Sequence, residues 1–142
     1  MGKNKLISNK NIYCKNNNIK LIQLLINNCK TKRQYNELMA KIFSLSIILN
    51  NIKLVEQFIN DINFNYRNNI YLWTSISAGN LDIVKLILSK YTKSDVSNVI
   101  NRISFIINDN ILKLLFEHAE PSHLSIENLN TLLYLAMIIF LS

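Results

Sequence analysis

Apolar residues along this chain come in adjacent pairs repeated four positions later, the spacing that sets them on one side of a helix. Leu54-Val55 followed by Phe58-Ile59 is the clearest instance. Four segments carry the pattern: Asn17 to Ile26, Asn50 to Ile59, Gly79 to Leu88 and Asn108 to Phe116. Their starts lie 33, 29 and 29 residues apart, and the fourth is one residue shorter than the rest. Each opens on glycine or asparagine, the residues that best tolerate the left-handed backbone ending one helix and starting a tight reversal. Asn17, Asn50, Gly79 and Asn108 are therefore predicted to be structural turn positions. Ser46, Ser75 and Ser104 each stand four residues ahead of one of the last three turns, and Ala136 takes the equivalent place further on. A small residue recurring there predicts helices in close approach. The pattern as a whole predicts an all-α fold of helix–turn–helix units that bury their apolar faces by stacking.

The units span approximately residues 8–30, 38–65, 70–92 and 98–120, with a terminal half-unit at 128–142, all within a single domain. Thr31 followed by Gln34 offers a capping box, which predicts a longer helix through residues 32–49. Only two glycines and one proline interrupt the chain, which disfavours a turn-rich β sandwich. The competing architecture is a compact helical bundle in which the repetition is a coincidence of composition. Asn and Ile occur 23 times each, and Lys supplies 13 of the 16 basic residues. All three have AT-rich codons, so single asparagines carry little functional weight.

The third segment with its flank, Tyr71 to Tyr91 (YLWTSISAGNLDIVKLILSKY), resembles the ankyrin repeat, whose consensus runs T-P-L-H-L-A-A-x-x-G-H-L-E-I-V-K-L-L-L. Leu72 takes the first leucine, and Gly79, Asn80, Leu81, Asp82, Ile83, Val84, Lys85, Leu86 and Leu88 follow the rest. Phe43 to Ile59 is a weaker copy, and Asp61-Ile62-Asn63-Phe64-Asn65 is similar to the D-V-N of the family's connecting loop. Residues 10–26 and 99–116 are degenerate copies, and Thr131 to Ala136 resembles the opening of another. The T-P-L-H turn is replaced by Ile70-Tyr71-Leu72-Trp73 and Lys41-Ile42-Phe43-Ser44, and the loop Gly-Ala is absent. Short or helical connectors are expected in place of β-hairpin fingers. The resemblance implies an ankyrin-like stack of degenerate helix pairs that binds another protein. Divergent arrays of this composition are similar to those of large double-stranded DNA viruses and some protists. That similarity implies a viral protein engaging a host factor in the host cell cytoplasm.

Candidate chemistry alters this picture little. His118 and His123 are the only histidines, flanked by Glu117 and Glu120, and neither Cys14 nor Cys29 is near them in sequence. No metal site is expected from that spacing, nor any catalytic or cofactor-binding constellation: there is no G-x-S-x-G, no Gly-rich phosphate loop and no H-E-x-x-H. A non-enzymatic protein without cofactors is the expectation. Two cysteines fifteen positions apart with no C-x-x-C fit a reduced, intracellular setting, and no signal peptide is read at the start. Trp73 and Phe105 are aromatic enough to anchor a partner, but Trp73 falls within the first helix of the best repeat and is expected to pack there. Tyr66 and Arg67 lie in the polar connector Asn60–Asn69, and Arg33 and Tyr35 are expected in the equivalent connector one unit earlier. Arg33, Tyr35, Tyr66 and Arg67 are the expected partner-binding residues.

Charge and the final segment supply the competing functions. The net charge is +7. Residues 1–41 hold nine basic residues and one acid, giving +8, and the remainder sums to −1. A basic end can serve nucleic acid, although the stacking aromatics that usually accompany single-strand binding are sparse here. From Leu132 to Leu141 every residue is apolar. Ten residues fall short of the ~20 that span a bilayer. The readings for this segment are a helix in the core, a surface for another subunit or partner (self-association included), and a membrane-associating tail.

Overall fold

The computed structural model describes residues 19–103 and 107–141. Within them lie eight α-helices and no strand: α1 Ile19–Asn27, α2 Lys32–Ile48, α3 Ile52–Phe58, α4 Ile70–Ala78, α5 Leu81–Leu88, α6 Lys93–Arg102, α7 Asp109–Glu117 and α8 Ile126–Leu141. Short 3-10 turns at Ile59–Asp61 and Pro121–His123 occupy two of the connectors. The all-α expectation holds; most connectors in the described residues are short or carry a 3-10 turn, and the longest, between α3 and α4, runs non-helical through residues 62–69.

Two junctions show why the sequence breaks where it does. At the first, α2 ends and Asn50 turns left-handed, with φ 54°. The Asn50 amide donates to the carbonyl of Ile47 (3.0 Å) and the Asn51 amide to that of Ser46 (2.8 Å). This is the paired closure that satisfies the last carbonyls of a helix. Asn51 then caps α3, its side-chain oxygen accepting from the Leu54 amide at 3.2 Å. At the second, Gly79 has φ 76° and donates to the carbonyls of Ser75 and Ile76, and Asn80 caps α5 by accepting from Ile83 at 3.1 Å. A left-handed residue followed by an asparagine cap therefore reverses the chain in two residues, so neighbouring helices pair antiparallel.

Asn108 departs from this scheme. Its backbone is extended, at φ −57° and ψ 135°, and its side chain accepts from the Asn110 amide to cap α7. It is the counterpart of Asn51 and Asn80, not of Asn50 and Gly79, which accounts for the fourth segment being one residue short. α2, Lys32–Ile48, is the longer helix that the cap at Thr31 predicts, Thr31 accepting from the Gln34 amide, and the unit start at residue 38 falls inside it. Gln34 completes the cap on the amide of Lys30 instead of Thr31. α6 starts at Lys93, ahead of residue 98, fixed by a full capping box between Thr92 and Asp95. Asn17 lies outside the described residues, as do Ser104 and Phe105.

The chain divides into two compact units, one up to Asn65 and one from Tyr66. In the first, α2 packs on α1 and α3, and the core is Ile22 with Leu38, Met39, Ile42, Phe43, Ile47, Leu54, Val55, Phe58 and Ile59. In the second, α4 packs on α5, α5 on α7, and α7 on α6. The paired positions seen in the sequence are the buried ones: Leu54, Val55 and Phe58 in α3, Ile83, Val84, Ile87 and Leu88 in α5, and Ile111, Leu115 and Phe116 in α7. Each such side chain contributes roughly 1.5–3 kcal/mol by leaving water. Ser46 and Ser75 are fully buried. Their hydroxyls donate to carbonyls of their own helices, those of Ile42 (2.7 Å) and Leu72 (2.8 Å), so their burial leaves no donor unmet.

Candidate functional site

The connector between α3 and α4 is the longest in the described chain, and it is held at several points. On the first unit's side, Phe64 sets its ring edge against Phe43 of α2, with centroids 5.9 Å apart and planes at 88°. The Asn63 side chain accepts from the Asn65 amide at 3.1 Å, closing a local turn. On the second unit's side, the guanidinium of Arg67 lies over the Tyr66 ring, 5.1 Å from its centroid. Arg67, Asn68 and Asn69 then adopt left-handed backbone in succession, with φ of 55°, 43° and 64°. Each costs about 1 kcal/mol, less for Asn than for Arg. The Arg67 carbonyl accepts from Ile70 and the Asn69 carbonyl from Trp73, both at 3.1 Å, so the run feeds directly into the first turn of α4. Arg67 is exposed and Tyr66 half-buried. A strained backbone thus holds a stacked cation and aromatic ring at the surface beside a helix start.

Arg33 and Tyr35, expected in an equivalent connector, stand instead in the first turn of α2. The cap at Thr31 starts the helix before them. Arg33 pairs with Glu37 one turn on, Nε to Oε1 at 3.2 Å, with the Arg side chain 89% exposed. A pair so open to water contributes little stability. The four predicted partner-binding residues therefore divide, Arg33 and Tyr35 in the first unit and Tyr66 and Arg67 in the second. Trp73 is half-buried in α4.

Elsewhere, His118 bonds through Nδ1 to the Leu114 carbonyl at 2.9 Å, and both histidines are exposed. No group of three metal-ligating side chains occurs among the described residues. The Cys29 thiol donates to the Leu25 carbonyl, and Cys14 lies outside the described residues. Lys20, Lys30, Lys32, Arg33 and Lys41 are all exposed. No described helix is long and apolar enough to cross a membrane. Burial of the final segment in the core is not what the structure shows. Leu133, Tyr134, Met137 and Ile138 are exposed, as are Ile126 and Leu129 ahead of them.

The sequence missed one further cluster, a clasp between α6 and the segment leading into α8. Ser97, fully buried, donates to the Glu120 carbonyl (2.9 Å) and accepts from the Glu120 amide (2.8 Å). Asn101 donates to the His123 carbonyl and accepts from the Ser125 amide and the Asn128 side chain. These contacts join residues 22 to 27 positions apart, and nothing local marks them.

Comparison of the chain with protein-family models, with curated proteins and with solved structures gave no match. The class that the fold defines is an all-α protein.

Proposed function

We propose that this chain is a non-enzymatic, ankyrin-type protein-interaction module that grips its partner through the connector after α3. The stacked pair Tyr66–Arg67 carries the reading. Tyrosine and arginine dominate binding energy at protein interfaces because each joins a large contact area to a directional polar group. A pair already ordered by stacking and by left-handed backbone loses little entropy on binding. The repeat reading is supported by the recurring junction of a left-handed residue and an Asn cap, at Asn50-Asn51 and Gly79-Asn80, and by α5 packing on α7, second helix on second helix. On this reading the partner is a protein with an acidic or carbonyl-rich patch to receive the guanidinium. By its resemblance to viral arrays, the chain would meet that partner, a host factor, in the host cytoplasm.

Affinity capture from lysate by the tagged protein, beside the double variant Tyr66→Ala with Arg67→Ala and with nuclease added to both, tests this. A discrete protein retained by the parent through nuclease treatment, and weakened tenfold or more by the variant at unchanged helical content, is the expected result. Equal retention by both would remove the connector from the site. Partners lost on nuclease treatment, with binding that falls steeply as salt rises, would assign binding to the exposed basic residues of the first unit instead.

A further inference from the structure

We propose that the exposed apolar face of α8 is a homotypic contact that closes on the same face of a second copy of this chain. Ile126 is 79% exposed, Leu133 60%, Tyr134 66%, Met137 55% and Ile138 45%, with Leu129 at 38%. The half-buried positions Asn128, Thr131, Leu132 and Leu135 lie on the other side of the helix. The exposed residues fall at spacings of three and four, with Leu133 one heptad after Ile126. That is the spacing of a helix seam meeting another helix. The N-terminal end of the helix is tied down, since Asn128 donates to Asn101 and the Ser125 hydroxyl accepts from the Asn128 amide. The face is therefore presented in a fixed direction.

Area and charge choose the occupant. Scaled by their fractional exposures, the six side chains offer roughly 700 Å², more than the few hundred typical of a patch on a monomer. It is close to the roughly 800 Å² per partner of a standard stable interface. Glu127 is the only charged residue of α8. A helix that lies on a membrane surface carries a strongly charged polar face, usually rich in Lys and Arg, and this one has no basic residue. Glu127, exposed and one heptad before Tyr134, falls on the same side of the helix; an antiparallel two-fold pairing centred on Leu133 keeps its two copies at opposite ends of the contact and sets Leu129 opposite Met137. Asn130 lies near the middle of the stripe, where a polar Asn fixes register on a helix seam.

The mass of the full chain in solution tests the proposal, by sedimentation or light scattering across a dilution series. Expected is a species of twice the 16.5 kDa chain mass that halves on dilution. The variant Leu133→Asp with Met137→Asp should be monomeric at every concentration, its folding intact because both positions are exposed. Should that variant lose helical content, oxidation of Leu133→Cys in a chain with Cys14→Ser and Cys29→Ser decides: a covalent dimer supports the proposal and its absence overturns it. A parent chain monomeric at the highest concentration, or a dimer indifferent to the aspartates, also overturns it. So would a monomer that moves onto vesicles of neutral phosphatidylcholine, which would give the face to lipid. The contact is independent of the Tyr66–Arg67 connector, whose double variant should remain dimeric.

Discussion

Single residues decide where helices stop in this protein. Gly79 sits at φ 76°, and a Cβ added there would meet nothing within 4 Å. Replacement by alanine therefore costs backbone strain alone. Gly79→Ala is expected to lower unfolding stability by about 1 kcal/mol, and Gly79→Asn by clearly less, as urea titrations would show. Equal losses for the two would mean that contact, not backbone conformation, holds the position. Tyr91 and Tyr71 belong to this scale as well. Burial is the main cause raising both hydroxyl pKa values above the usual tyrosine value. For Tyr91, backbone hydrogen bonds with Leu72 and Tyr71 pull the other way, and for Tyr71 the Tyr66 hydroxyl adds to the rise while Arg67 opposes it. The folded state thus keeps protons that the unfolded chain releases above about pH 10. Stability from these groups is complete below that pH and falls as the pH rises through it. The midpoint of urea unfolding should drop more gently between about pH 9 and pH 11 in Tyr91→Phe than in the parent; parallel curves would refute the assignment.

At the scale of elements, the clasp between α6 and the approach to α8 is the most exposed to damage. Ser97→Ala removes both bonds between the buried Ser97 hydroxyl and Glu120 and leaves the Glu120 amide only its longer bond to the Lys93 carbonyl, a loss of about 1–3 kcal/mol. Asn101→Ala removes three bonds at an exposed site, where water replaces them, so its cost should stay near or below 1 kcal/mol. Chemical denaturation of the two variants should rank them in that order. The reverse order would mean that Asn101 holds the segment and Ser97 merely fills space. Amide exchange along Ser125 to Leu129 should quicken in Asn101→Ala even where global stability is little changed.

At the scale of the molecule, the two proposals rest on separate surfaces. The Tyr66–Arg67 connector is strained and polar, and its expected partner is another protein. The α8 face is apolar with Glu127 as its one charge, and its expected partner is a second copy. Loss of capture on connector substitution with dimerisation intact, and loss of dimerisation on Leu133→Asp with Met137→Asp with capture intact, would establish both. If capture also failed in the aspartate variant, two connectors on one dimer would be acting together through avidity.

Much of the fold was legible in the chain because its causes are local. The paired apolar positions in α3, α5 and α7, the left-handed Asn50 and Gly79, and the cap at Thr31 follow from helical period and backbone sterics within a few residues. Asn108 is ambiguous for a local reason too. With 23 asparagines in the chain, a turn Asn and a cap Asn look alike until the register of the helix is known. Arg33 and Tyr35 were misplaced because the repeat alignment overrode the cap signal beside them. What only the tertiary structure decided depends on distant partners: the division of the chain at Asn65, the Ser97–Glu120 clasp, and above all the fate of Leu132 to Ile138. A run of apolar residues states that burial is favourable. It does not state what does the burying, and the folded chain leaves most of that face uncovered.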